Sequence, residues 1–196
     1  MKVFGLTGSI AMGKSEVAKV FQQGGIPVFD SDTEVHRLYD SSQGADLLKD
    51  CAPEATVTGR VDRKVLTELI LRDKDLLAKL ETRVHAAVRR RRDQFIADAQ
   101  SQGAKVAIVD VPLLFETGAE KGLDGVIVVS APENDQRARA LARPGMTVDR
   151  LDLILKRQMP DKEKRSRATY ILENTGTLAD LHSATTALIS RLLEDA

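Results

Sequence analysis

The sequence predicts an α/β fold of the P-loop type: a five-stranded parallel sheet with helices on both faces, plus a helical insertion and a helical lid. Three observations predict it. Segments of strand and helix pattern alternate along the 196 residues, as they do in open parallel sheets. Val106-Ala107-Ile108-Val109 and Val126-Ile127-Val128-Val129 are wholly apolar, as strands buried on both faces are. A complete phosphate-loop motif joins the first strand to the first helix, the context that gives this motif its meaning.

The elements follow in order. Lys2 to Thr7 reads as a short buried strand running into a glycine-containing loop. After Lys14 the spacing of Val17, Val20 and Phe21 is helical. Gly24-Gly25 stops that helix, and Ile26-Pro27-Val28-Phe29 opens a second strand, where Pro27 is tolerated near the start. A helix through Val35, Leu38 and Tyr39 follows. From Ser41 to Gly103 the pattern is mostly helical. Asp62 is placed to cap one helix (Val65, Leu66, Leu69, Ile70), and a longer one carries Leu76, Leu77, Leu80, Val84, Ala87, Val88, Phe95 and Ile96. After the two apolar strands come helices near Glu133–Ala142 and Asp149–Met159, a fifth strand at Tyr170-Ile171-Leu172, and a last helix capped by Thr177. The core is expected over about 1–32, 104–142 and 166–196, the insertion over 33–103 and the lid over 143–165.

Composition narrows the function. Lys plus Arg and Asp plus Glu both number 29, and aromatic residues are 4%. A nucleic-acid binder would carry a basic excess and stacking aromatics. No apolar run approaches the roughly 18 residues of a membrane span, and glycines follow Met1 too early for a signal peptide. Cys51, the one cysteine, cannot build a disulfide framework. His36, His85 and His182 lack metal-ligand spacing. The expectation is a cytoplasmic protein, monomeric or at least monomer-capable, with small-molecule substrates and no nucleic-acid or membrane partner.

The chemistry starts at Gly8-Ser9-Ile10-Ala11-Met12-Gly13-Lys14-Ser15, which fills G-x-x-x-x-G-K-[ST]. Glycines let the backbone curl so that N–H groups point at phosphate oxygens, reinforced by the helix N-terminus. Lys14 is expected on the β- and γ-phosphates and Ser15 on Mg²⁺. Gly8, Ser9, Ala11, Met12, Gly13 and Glu16 complete the expected ATP contacts. Asp30 and Asp32 follow the second strand, at the sheet edge where such folds bind ligands. Asp32 is assigned to the acceptor hydroxyl and Asp30 a secondary role near metal or acceptor. Capping of the next helix is the alternative for both. Asp110 ends its strand as a Walker-B acid would, holding Mg²⁺ through water, or else simply makes a turn.

Between Arg137 and Arg167 lie ten basic and four acidic residues. They suit a lid over a polyphosphate, or in part a solvated helix face. Arg89-Arg90-Arg91-Arg92 spreads around a helix rather than forming a stripe.

Together these segments resemble the dephospho-coenzyme A kinase family, over essentially the whole chain. The resemblance rests on Gly5-Leu6-Thr7-Gly8 with the phosphate loop, Val28-Phe29-Asp30-Ser31-Asp32 and Leu80 to His85. It continues in Asp110-Val111-Pro112-Leu113-Leu114-Phe115-Glu116, Ala142-Arg143-Pro144-Gly145-Met146-Thr147 and Asn174-Thr175-Gly176. It implies transfer of the ATP γ-phosphate to the 3′-hydroxyl of dephospho-CoA, the last step of CoA synthesis, with ATP as co-substrate and Mg²⁺ as cofactor. It implies Asp32 as base or hydroxyl-positioning residue, Arg139 and Arg143 on the phosphates, and Asn174 beside adenine. His85, Leu113, Phe115 and Glu116 are implied on the CoA side, with the inserted helices as the acceptor domain. Glu16, Ser31 and Ala86 stand where the family mostly has Thr, Ala and Pro. Shikimate kinases share the Asp-Ser-Asp, but the long insertion and the lack of a glycine triplet oppose them. Nucleoside monophosphate kinases are alike in fold alone. A GTP-dependent switch would need an Asn-Lys-x-Asp motif, which the sequence lacks.

Overall fold

The structure, a computed structural model, describes residues 1–196 apart from the side chain of Lys74. In chain order the elements are β1 (Lys2–Thr7), α1 (Lys14–Gln23), β2 (Val28–Asp30), α2 (Ser31–Tyr39), α3 (Ser42–Leu48), a 3₁₀ turn (Pro53–Ala55), α4 (Arg63–Arg72) and α5 (Lys74–Ser101). Then come β3 (Val106–Asp110), β4 (Gly125–Ser130), α6 (Glu133–Leu141), α7 (Val148–Arg157), α8 (Asp161–Ser166), β5 (Tyr170–Glu173) and α9 (Leu178–Glu194). The chain divides into two compact units, Met1–Phe29 with Ile96–Ala196, and Asp30–Phe95.

The sheet belongs to the first unit, in the order β2-β3-β1-β4-β5. β1 pairs in parallel with β3 and β4, and β4 with β5. The apolar strands serve two cores because alternate side chains leave opposite faces. Ile127 and Val129 pack with Phe4, Leu6, Phe21 of α1 and Leu188 of α9. Val126 and Val128 pack on the other face with Leu114 and Phe115. Gly5 is required in β1, because a Cβ there would stand 2.8 Å from Leu114 and 2.9 Å from Leu123. The second strand starts two residues later than the sequence pattern suggests. Ile26 still closes α1 by donating to Phe21, and the Pro27 carbonyl accepts from Ile108.

The second unit is helical around its own core of Leu38, Leu48, Leu66, Leu80 and Val84. Asp30, Ser41 and Asp62 cap α2, α3 and α4 through their side chains. The sequence pattern marks Ser41 to Gly103 and the lid as helical without separating out α3 and α8, because seven and six residues are too few to display a period. Among the described residues, no helix is long and apolar enough to cross a membrane.

Candidate active site

The phosphate loop leaves β1, the central strand, whose neighbours β3 and β4 lie on either side. That is the point in such sheets where a crevice opens for ligands. Gly8 runs so close to β4 that a Cβ would stand 2.7 Å from the Val129 carbonyl oxygen. Gly13 has φ 103° and caps α1, and a Cβ there would collide with the Asn174 amide. Among the described residues, the N–H groups of Gly13, Lys14 and Ser15 donate to no protein acceptor. They are the orphan donors of a helix start, directed where an anion is favoured.

Lys14 Nζ lies 2.5 Å from Asp110 Oδ1, a carboxylate at the end of β3 that is 3% exposed. The two meet because Asp110 is in register with Leu6, one residue short of the loop's parent strand end. Ser15 is exposed on the first turn of α1. Glu16 is engaged along the helix surface, 2.7 Å from Lys19 and 3.8 Å from His182. The Lys19 hydrogen bond holds its carboxyl below the usual range.

The loop is also gripped from outside, by groups the motif does not include. Ile10 donates its N–H to Gln158 Oε1 at 3.0 Å, and its carbonyl accepts from Gln136 Nε2 at 2.9 Å. The Met12 carbonyl accepts from Asn174 Nδ2 at 3.0 Å. Gln136 sits among polar residues of α6 and Gln158 at the end of α7. Neither has a local pattern that announces it, so sequence reasoning missed both.

Arg139 directs both terminal guanidinium nitrogens, Nη1 and Nη2, at the Asn174 carbonyl oxygen, 3.4 Å away. Arg143 is exposed and has no ion-pair partner among the described residues. The basic run between 137 and 167 thus divides. Arg137 pairs with Asp152, Arg165 with Glu173 and Arg167 with Glu120. Lys164 is fully buried, while Arg143, Lys156, Arg157 and Lys162 are not drawn into ion pairs among the described residues.

The segment after β3 points its residues to different ends. Leu113 is exposed, Leu114 is buried, and Phe115 is buried under the Arg167 guanidinium, 4.4 Å from the ring centroid. Glu116 Oε1 accepts from the Met159 N–H at 2.7 Å and lies 2.8 Å from Lys164 Nζ. Burial pushes the Glu116 carboxyl up, but the Lys164 and Met159 hydrogen bonds outweigh it and hold it below the usual carboxylate range. Glu116 and Lys164 therefore bolt the junction of α7 and α8 to this segment. Removing one partner of a buried pair costs about 3 kcal/mol at the lower end. Glu116→Gln is expected to lower Tm by roughly 6–12 °C at pH 7 for a chain of this length. A depressed carboxyl contributes its stability above the unfolded value and loses it as pH falls through the folded one. The Tm gap between parent and variant should therefore be full at neutral pH and close as pH falls through and below the ordinary carboxylate range. Thermal melts across that range check it, and a gap independent of pH would refute the ion-pair account.

In the helical unit, Asp30 Oδ1 accepts from the Thr33 N–H at 3.0 Å and so caps α2. Asp32 is exposed in the first turn of that helix, with no hydrogen-bond or ion-pair partner for its carboxylate among the described residues. His85 is exposed on α5. Of the four consecutive arginines, Arg91 pairs with Glu34 and Gln43, and Arg92 with Asp93.

A family model described as dephospho-CoA kinase matches residues 2–180. A dephospho-CoA kinase of Brucella melitensis is 47% identical over 192 residues, 98% of this chain and 96% of its own. Among solved structures, a Thermus thermophilus protein superposes with a TM-score of 0.80 at 38% identity, covering 97% of each chain. A dephospho-CoA kinase from Campylobacter jejuni superposes with a TM-score of 0.77 at 25% identity, covering 100% of this chain and 99% of that one.

Proposed function

The chain belongs to the dephospho-CoA kinase family, and from that premise we propose how its residues divide the work of the reaction. The family's reaction transfers the ATP γ-phosphate to the 3′-hydroxyl of dephospho-CoA, giving CoA and ADP in the last step of CoA biosynthesis. The observation that carries the assignment of roles is the phosphate loop itself. Its orphan N–H groups and Lys14 converge at the carboxyl end of the central strand.

Phosphoryl transfer leaves the protein little covalent chemistry and much positioning and charge stabilisation. The N–H groups of Gly13, Lys14 and Ser15 would receive the β- and γ-phosphate oxygens, with Gly8, Ser9, Ala11 and Met12 shaping the loop. Lys14, resting on Asp110, would shift its charge to the phosphates as ATP binds. Arg139 and Arg143 would add positive charge from the lid, about residues 143–165 and the α6 helix before it. Asn174 would act through the loop as much as beside adenine, since its amide is already committed to Met12. Glu16 would act only indirectly, its carboxylate being turned to Lys19 and His182.

Asp32 would align the 3′-hydroxyl and accept its proton. Its free carboxylate supports that role, while the Asp30 carboxylate is spent on the helix cap. The helical unit would be the acceptor side, with His85 on α5. In the segment after β3, Leu113 is the exposed side chain, so it would contact the acceptor, while Phe115 and Glu116 hold the segment in place.

The residues present fit a magnesium ion. Ser15 offers a hydroxyl and Asp110 a carboxylate, both hard oxygen donors. Such an ion takes one or two protein oxygens and completes its shell with water and phosphate. When bound, it would neutralise charge on the β- and γ-phosphates. The reading further makes the enzyme cytoplasmic and able to work as a monomer, in keeping with zero net charge and small-molecule substrates.

The test is ADP release by purified protein with ATP and Mg²⁺, comparing dephospho-CoA, shikimate, nucleoside monophosphates and no acceptor. Turnover is expected with dephospho-CoA alone. Equal turnover with another acceptor would overturn the acceptor assignment, and silence with every acceptor would overturn the kinase reading.

A further inference from the structure

Ala11 has φ 62°, the one non-glycine residue with positive φ among the described residues. The left-handed conformation is sterically unfavourable for a residue with a Cβ. It persists where surrounding structure over-determines it, characteristically at ligand sites. Here the surrounding structure can be named. The Ile10–Ala11 peptide is held at its carbonyl by Gln136 and the preceding N–H is held by Gln158, at 2.9 and 3.0 Å. On the other side, the Met12 carbonyl is held by Asn174 at 3.0 Å, and the Met12 N–H returns to the Ser9 carbonyl at 3.2 Å. The three amides come from α6, from the end of α7 and from the loop after β5.

Gln136 is 5% exposed, an unusual place for a glutamine unless it is hydrogen-bonded. Gln158 stands where α7 ends, and the next residue, Met159, is fixed by Glu116. Leu151 and Leu155 of α7 pack in one cluster with Ile10 and Ala11. The Ile10 end of the turn is therefore tied to two helices, and the Met12 end to a loop, all outside the motif.

We propose that Gln136 and Gln158 are positioning residues for nucleotide binding, which, together with Asn174, clamp the peptides around Ala11 and hold the phosphate loop in its left-handed turn. The loop is then preformed before a phosphate arrives, and the ordering cost of binding is reduced. This deepens the reading of residues 8–15 as the ATP site and rests on it.

Gln158 is only half-buried, so Gln158→Leu is the variant least expected to disturb folding. With Mg²⁺ present, titration calorimetry is expected to find ADP bound about tenfold more weakly, the size of one lost hydrogen bond. Adding Ala11→Gly, which adopts the turn without steric penalty, should bring affinity back to within about threefold of the parent. Merely loosened packing would not be repaired that way. Gln136→Leu, which frees the Ile10 carbonyl, should weaken ADP binding similarly and respond to the same second substitution. A parent that binds ADP beside a Gln158→Leu protein of equal affinity overturns the clamp. So does a weakened Gln158→Leu protein that Ala11→Gly leaves unrepaired. A parent that takes up no ADP overturns the nucleotide reading, and this inference falls with it.

Discussion

Asp32→Asn is expected to lower kcat with dephospho-CoA by about 10²–10⁴, the range for loss of a positioned general base. The KM for ATP should hardly move, because the loop that would bind ATP is gripped by Gln136, Gln158 and Asn174, none of which involves Asp32. Stability should hardly move either. Asp32 is exposed and contributes at most the interaction of a carboxylate with the α2 N-terminus, roughly 0.3–1 kcal/mol. Steady-state kinetics at saturating ATP, set beside thermal melts, check this. A kcat close to that of the parent would remove Asp32 from the chemistry and leave it as a helix-start acid. Asp30→Asn is a useful companion, since asparagine caps nearly as well as aspartate. Its kcat should fall far less than that of Asp32→Asn if the free carboxylate is the one that matters.

For Lys14→Ala, kcat is expected to fall by roughly 10²–10³, as when one preorganised donor to developing charge is removed. The structure adds a second effect that the motif alone does not foresee. Lys14 is the cation 2.5 Å from Asp110, whose side chain is 3% exposed. Withdrawing it should cost stability as well, on the order of 3 kcal/mol for a pair this buried. The two effects separate in the double variant. Adding Asp110→Asn should recover much of the Tm without recovering kcat. A single Lys14→Ala protein with parental turnover would defeat the phosphate-loop assignment outright.

The legibility of this protein in its sequence follows from the range of the forces involved. The strands were plain because burial on both faces leaves wholly apolar runs such as Val126–Val129, and the structure divides that run between two cores. The N-caps at Asp62 and Thr177 were plain because a cap is a contact two to three residues long. Helices α3 and α8 were not, being shorter than two turns. In α3 the telling residue is Gly44, forced by the Leu38 carbonyl, a contact no one-dimensional pattern displays. The basic run from 137 to 167 reads as a lid over a polyphosphate or, in part, a solvated helix face. Yet Lys164, inside it, is fully buried against Glu116, because a long side chain can be withdrawn from solvent when a carboxylate 48 positions earlier receives it.

The sequence by itself determined the sheet-and-helix order, the phosphate loop and the family to which the chain belongs. Each is carried by contiguous residues whose spacing reflects local geometry: a period of two or 3.6, or a turn that needs glycine at fixed positions. Only the tertiary structure decided which polar groups are free to act and which are spent on architecture. It gave the Asp30 carboxylate to a cap and left that of Asp32 exposed. It turned Glu16 away from the loop, and it brought Gln136, Gln158 and Asn174 onto Ile10 and Met12 from more than 120 positions away. Hydrogen bonds act over about 3 Å and are blind to separation along the chain, so their partners are fixed by the packed fold.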